Sequence, residues 1–240
     1  MKMQRCIEAL ASSKLPFAIA LCFAVQYAQA QPAGAGESPG QPPMVRGVKV
    51  EPLANHQVPE TLKSQARSEI DQVRTQGYVD VPDEVVSYLD RAVAAAQATG
   101  EGRLRPIQEI PGGLKLSPAS LQGTVLEKAR FLGAAPAGAY SKEGWSGLVR
   151  VFVAARIGPV VLEEFDFVAG EGGLVMIEEA INESVNGRPA ILRTKKGAGG
   201  KSMTELTWAS DRKIYTLRAK STDNPRSAGE LVALARGIVD

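Results

Sequence analysis

Apolar positions recur at two spacings along this chain, and the change of spacing divides it. In the first half the intervals are three and four. Leu62, Ala66, Ile70 and Val73 form one stripe of an amphipathic helix that Gly77 ends. Val85, Val86, Leu89, Val93 and Ala96 give a second stripe, with Asp80 as cap, Pro82 in the first turn and a stop near Gly100. Both stripes are narrow, so the pair is expected to pack on the main domain or on a second copy. A third helix is expected from Ser117-Pro118, lined by Leu121, Val125, Ala129 and Leu132 and ended by Gly133. A loop from Ala134 to Gly144 follows.

From Trp145 the interval becomes two. Leu148–Ala154 and Val161–Val168 read as a hairpin across Arg156-Ile157-Gly158-Pro159. Val161, Phe165 and Phe167 share one face, and Leu162, Glu164 and Asp166 the other, which is expected to be wet. Leu174–Val185 suits both a helical stripe and an alternating strand. Asn186-Gly187 favours the strand, because that pair suits the tight turn of a hairpin. Pro189–Lys195 then pairs back. Gly197–Lys201 is a loop, and Met203–Ala209 and Lys213–Lys220 form a further hairpin across Ser210-Asp211-Arg212. A last helix opens with Ser227 and Glu230 as a capping box and carries Leu231, Leu234, Ala235 and Ile238 on one face. Helices, a run of strands and a closing helix predict an α+β fold. Its expected form is an antiparallel sheet packed with helices.

The first thirty residues have a different design. Lys2 and Arg5 precede an apolar run from Leu15 to Val25, and Ala28-Gln29-Ala30 supplies small residues for a peptidase. The run is about half of what a membrane-spanning helix needs. A cleaved signal peptide is the reading, with periplasmic residence expected and secretion as the alternative. A lipid anchor on Cys22 would follow Leu21, a bulky residue where a small one is wanted. Residues 31–60 are rich in Pro, Gly and Ala and read as a disordered tether. The expected organisation is a leader at 1–30, this linker, a helical hairpin and connector at 61–110, and an α+β domain at 111–240.

Cleavage changes the composition. Cys6 and Cys22, the two cysteines, both lie in the leader. Taking Lys2, Arg5 and Lys14 from the 28 basic residues, and Glu8 from the 26 acidic ones, leaves 25 of each. A balanced chain gives no electrostatic footprint for nucleic acid. His56, the one histidine, falls near the end of the linker and is expected to be solvated. Without cysteine or histidine in the folded part, triads and zinc sites have no ligands or bases to use.

Several short motifs resemble catalytic ones without fitting them. Lys195-Lys196-Gly197-Ala198-Gly199-Gly200-Lys201-Ser202 resembles a phosphate loop, but Lys195 stands where the first glycine belongs and no helix follows. Lys195, Lys196 and Lys201 are candidate contacts for an anionic polymer or headgroup. Ser210-Asp211-Arg212-Lys213 has the Ser-x-x-Lys spacing but bridges two strands rather than opening a helix. Glu163-Glu164 and Glu178-Glu179 are adjacent, so each pair faces both ways on a strand. Asn182-Glu183-Ser184 matches a glycosylation sequon only in form. Trp208 and Tyr215 are expected either to fill a sheet face or, with Phe165, to line an apolar groove beneath helices.

The C-terminal residues Val185-Asn186-Gly187-Arg188-Pro189-Ala190-Ile191-Leu192 are followed by Leu206-Thr207-Trp208, by Ile214-Tyr215-Thr216-Leu217 and by the helix Leu231–Ile238. This series resembles bacterial envelope domains associated with anti-sigma factors, which share the lipoprotein-carrier fold of periplasmic sorting chaperones and sigma-E regulators. The resemblance implies a curved antiparallel sheet around helices and binding of acyl chains or lipoproteins. It transfers no ligand residue. The expected protein is exported and non-enzymatic, uses no cofactor, and binds a lipid or an envelope protein. A structural or protein-interaction module is the alternative, and an unrecognised hydrolase a further one. No permanent membrane span is expected after cleavage.

Overall fold

The computed structural model describes residues 22–24, 47–98, 103–170, 172–221 and 226–240. Most of the expected leader and the linker as far as residue 46 lie outside the described residues. The fold is mixed α/β, built on one large, mostly antiparallel sheet with few helices.

The strands in chain order are β1 (Cys22–Ala24), β2 (Gly47–Glu51), β3 (Val79–Val81), β4 (Arg130–Ser141), β5 (Gly144–Ala154), β6 (Gly158–Asp166), β7 (Gly173–Ile177), β8 (Glu183–Val185), β9 (Arg188–Gly197), β10 (Ser202–Ala209) and β11 (Lys213–Lys220). The helices are α1 (Glu60–Gln76), α2 (Asp83–Val86), α3 (Tyr88–Ala95) and α4 (Arg226–Arg236). In the large sheet the order is β3-β9-β10-β11-β6-β5-β4, with β8 also paired to β9. A small sheet runs β1-β7-β2. Among the described strands, β3 with β9 and β2 with β7 pair in parallel.

The turn chemistry of the expected elements is visible in the backbone. Gly77 ends α1 at φ 81°, its N–H donating to the Val73 carbonyl at 3.1 Å. Asn186 and Gly187 both take positive φ, 52° and 77°, as the two-residue turn between β8 and β9 demands. The ambiguous segment 174–185 resolves into β7, a short 3₁₀ turn at Glu178–Ala180, and β8.

Four expectations are corrected. The third helix does not form. Gly123 takes φ 78°, Val125 is exposed, and 117–129 is a chain of turns that leads into β4. The expected loop 134–144 is largely β4 itself. Asp80 is not a cap but the middle of β3, so Pro82 precedes α2. The linker orders before residue 60. Gly47–Glu51 is a strand, Leu53 is buried, and His56 is 5 % exposed rather than solvated. Burial lowers the His56 pKa, against the opposing fields of Glu51 and Glu179. The Ser227 cap expected for α4 falls on a side chain outside the described residues.

Both faces of the large sheet are covered. On one face Phe152, Val160, Leu162, Leu206, Trp208, Tyr215 and Leu217 meet Leu231, Leu234 and Ala235 of α4 and Ala119 and Leu126 of the turn chain. On the other, α1 and β7 cover one end and α2 and α3 the opposite end. Ala66 and Ile70 pack with Phe167, Leu174, Met176 and Ile191, whereas Val86, Leu89 and Ala92 pack with Val151, Val161 and Met203. The expected wet face of β6 is therefore absent: Glu164 and Asp166 are 1 % and 2 % exposed.

Candidate functional site

Between its two apolar ends, the face under α1–α3 carries an ionic seam. Along β10 the inward order is Met203, Glu205, Thr207, Ala209, and along β6 it is Val161, Glu163, Phe165. Strand register sets Arg193 and Arg218 beside Glu205. Glu205 accepts from Arg193 at 2.6 Å, Lys195 at 2.8 Å and Arg218 at 2.7 Å. Arg218 reaches on to Glu163 at 2.6 Å, and the Tyr88 hydroxyl donates to the same carboxylate at 2.5 Å. Glu69 of α1 joins through Arg193 at 3.2 Å. Three cations therefore face three carboxylates. Desolvation pushes the Glu205 carboxyl up, but the fields of Lys195, Arg218 and Arg193 outweigh it and hold it well below the usual range. Desolvation also lowers the Lys195 ammonium to about 8 despite its pairing with Glu205.

A second buried set lies on the opposite face. Glu164 forms an ion pair with Arg150 at 2.8 Å and accepts from the Ala119 N–H at 2.8 Å. Arg150 donates to the Ala119 carbonyl, and Lys213 donates to the Ser117 carbonyl at 2.7 Å and pairs with Asp240 at 3.1 Å. Tyr215 donates to Asp240 as well. Burial raises the Glu164 pKa against the Arg150 field. These groups satisfy the backbone of Ser117 and Ala119, at the start of the turn chain.

The expected aromatic groove does not form. Trp208 and Tyr215 stack with ring centroids 5.0 Å apart and are 4 % and 2 % exposed, filled over by α4. Phe165 pairs with Ile214, one residue out of step with Tyr215, and so lies on the other face among the α1 cluster. The three candidate lysines have different surroundings. Lys195 is buried on Glu205, Lys196 lies 4.9 Å from the centre of the Tyr78 ring, and Lys201 pairs with Asp90 at 2.8 Å. The glycine loop itself receives a carboxylate from its own chain, since the Gly199 N–H donates to Asp83 Oδ1 at 2.9 Å. Ser210 caps the turn into β11, accepting from the Lys213 N–H, and the Lys213 ammonium points elsewhere. Asn182 is committed at both ends to the Leu192 backbone, at 2.8 and 2.9 Å.

A cavity of about 300 Å³ lies between the end of α1, the 178–182 turn and β9. Ile70, Val73, Ile181 and Ile191 form aliphatic walls, with Ala180, Arg193, Asn182, Glu179 and Arg74 completing it. The size is at the lower end for small-molecule pockets. Arg74 is exposed and donates to the Glu179 carbonyl at 3.0 Å. The Glu179 carboxylate is itself held by the Leu53 N–H at 2.9 Å. The apolar stripe of α1 gave Ile70 and Val73 in the sequence. Arg74, Ile181 and Ile191 had no sequence signal, because three separate segments bring them together. Among the described residues no group of three or more His, Cys, Asp or Glu side chains could hold a metal ion, and no helix is long and apolar enough to cross a membrane.

No protein-family model and no curated protein matches the chain. Among solved structures, a GTP-binding regulator from Thermotoga maritima is similar at 13 % identity over 63 % of this chain and 90 % of that one, with a TM-score of 0.25.

Proposed function

We propose that this chain is an exported, non-enzymatic binding protein of the bacterial envelope that holds a small, largely apolar ligand beneath the end of α1. The observation that carries the reading is the cavity walled by Ile70, Val73, Ile181 and Ile191. Its aliphatic wall gains binding energy from every methylene it takes out of water, roughly 0.8 kcal/mol each. The leader pattern and the resemblance to envelope domains with a curved, lipoprotein-carrier-like sheet support export and a periplasmic site of action. The charge balance of the exported part argues against nucleic acid as the partner. A second reading, a protein-interaction module without a ligand, is favoured by the filled Trp208–Tyr215 face.

The test is native mass spectrometry of the protein isolated from the periplasm of a host expressing the whole chain, leader included. A small-molecule adduct that is released on denaturation, and lost when Ile181→Trp fills the cavity, is the expected result. A bare protein mass that gains nothing on exposure to an envelope lipid extract would sink the ligand reading in favour of the interaction module.

A further inference from the structure

The cavity has one cation that no carboxylate of its walls meets. Arg193 also lines it, but its guanidinium is committed to Glu69 at 3.2 Å and Glu205 at 2.6 Å. Asn182 spends both side-chain polar atoms on Leu192. The Glu179 carboxylate is taken by the Leu53 N–H. Arg74 is different. It donates to a backbone carbonyl, and among the described residues no carboxylate lies within 4 Å of it. An arginine fork matches an oxyanion in two parallel hydrogen bonds, and such charge-assisted bonds are the strong ones. The walls are aliphatic, and no aromatic ring lines the cavity to stack a flat base.

Resting on the binding reading above, we infer that the cavity takes an aliphatic monocarboxylate, the chain against Ile70, Val73, Ile181 and Ile191 and the carboxylate on Arg74. A guanidinium with no carboxylate within 4 Å calls for an anionic head. A cavity of about 300 Å³ calls for a short or medium chain rather than a diacyl lipid.

Calorimetric titration of the whole purified protein with octanoate, octan-1-ol and octyl phosphate tests this. Octanoate is expected to bind at least roughly ten-fold more tightly than octanol, as an ion-assisted hydrogen bond supplies. Arg74→Ala should abolish that preference, and Arg74→Lys should restore part of it. Since Arg74 is exposed, the alanine variant keeps its packing. Equal binding of octanoate and octanol, or an octanoate affinity indifferent to Arg74→Ala, overturns the carboxylate while leaving the cavity as an apolar site. Tighter binding of octyl phosphate transfers the assignment to a phosphate head. If none of the three binds and Ile181→Trp also leaves every co-purified adduct in place, the underlying ligand reading falls as well.

Discussion

Glu205 sits beneath three helices with a guanidinium on either side and an ammonium above it, and its environment sets the behaviour of Lys195. Each cation is attracted by Glu205 and repelled by the other two, while burial penalises all of them. For Lys195 the penalty wins, and its pKa falls to about 8. The sign for stability follows from proton binding. Between pH 8 and the unfolded value near 10.5, the unfolded chain holds a proton on Lys195 that the native protein has released. Stability from this group therefore rises with pH through that window. Lys195→Met removes the titration. Urea denaturation at pH 7 and pH 10 should show the native protein gaining on the methionine variant as pH rises. A gap that shrinks instead would mean that Glu205 holds the ammonium more firmly than burial penalises it. None of this could be read from the sequence. Lys195 closed the expected strand Pro189–Lys195 and stood next to Lys196 as a candidate anion contact, and only the pairing of β9 with β10 turned it inward.

At the scale of elements, legibility followed local chemistry. The α1 stripe and its Gly77 stop, the Asn186-Gly187 turn and the hairpin of β10 and β11 all depend on residues within a few positions of one another, and all formed. The expected helix at 117–132 has a stripe spaced four, four and three like that of α1, and a Ser117-Pro118 start, yet it does not form. Gly123 breaks it at positive φ, and Leu121 and Thr124 close a turn in which Thr124 donates to the Leu121 carbonyl at 2.7 Å. The glycine loop 197–200 shows a local pattern serving a non-local purpose. A Cβ on Gly197 would stand 2.2 Å from Asp83 Oδ1, and the same carboxylate accepts the Gly199 N–H. The glycines let the start of α2 dock on the β9–β10 loop. Asp83→Ala should leave the global denaturation midpoint little changed but speed amide exchange at Gly199 at least several-fold, because its acceptor is gone. Unchanged exchange would show that the loop is held by β9 and β10 alone.

At the scale of the molecule, one sheet is covered on both sides, and the two sides do different work. Alternation in β6 suggested one apolar and one wet face because carboxylates at 164 and 166 normally need water. Here Arg150 and Arg212 replace it, and the sheet is buried twice. That substitution is invisible until the partners are brought together, so the aromatic pair on this face was readable as large and buried but not as closed off. Trp208 and Tyr215 lock α4 to the sheet, whereas the cavity opens on the opposite face under α1. The faces should separate in experiment. Trp208→Ala removes a buried, stacked ring and should cost about 3–5 kcal/mol of stability by denaturant titration. Its effect on octanoate affinity, measured at a temperature where the variant remains folded, should be slight. Ile181→Trp should do the reverse, closing the cavity with little loss of stability because Ile181 is only partly buried. Were Trp208→Ala to enlarge ligand binding, or to release a co-purified molecule, the binding site would belong under α4 and not under α1.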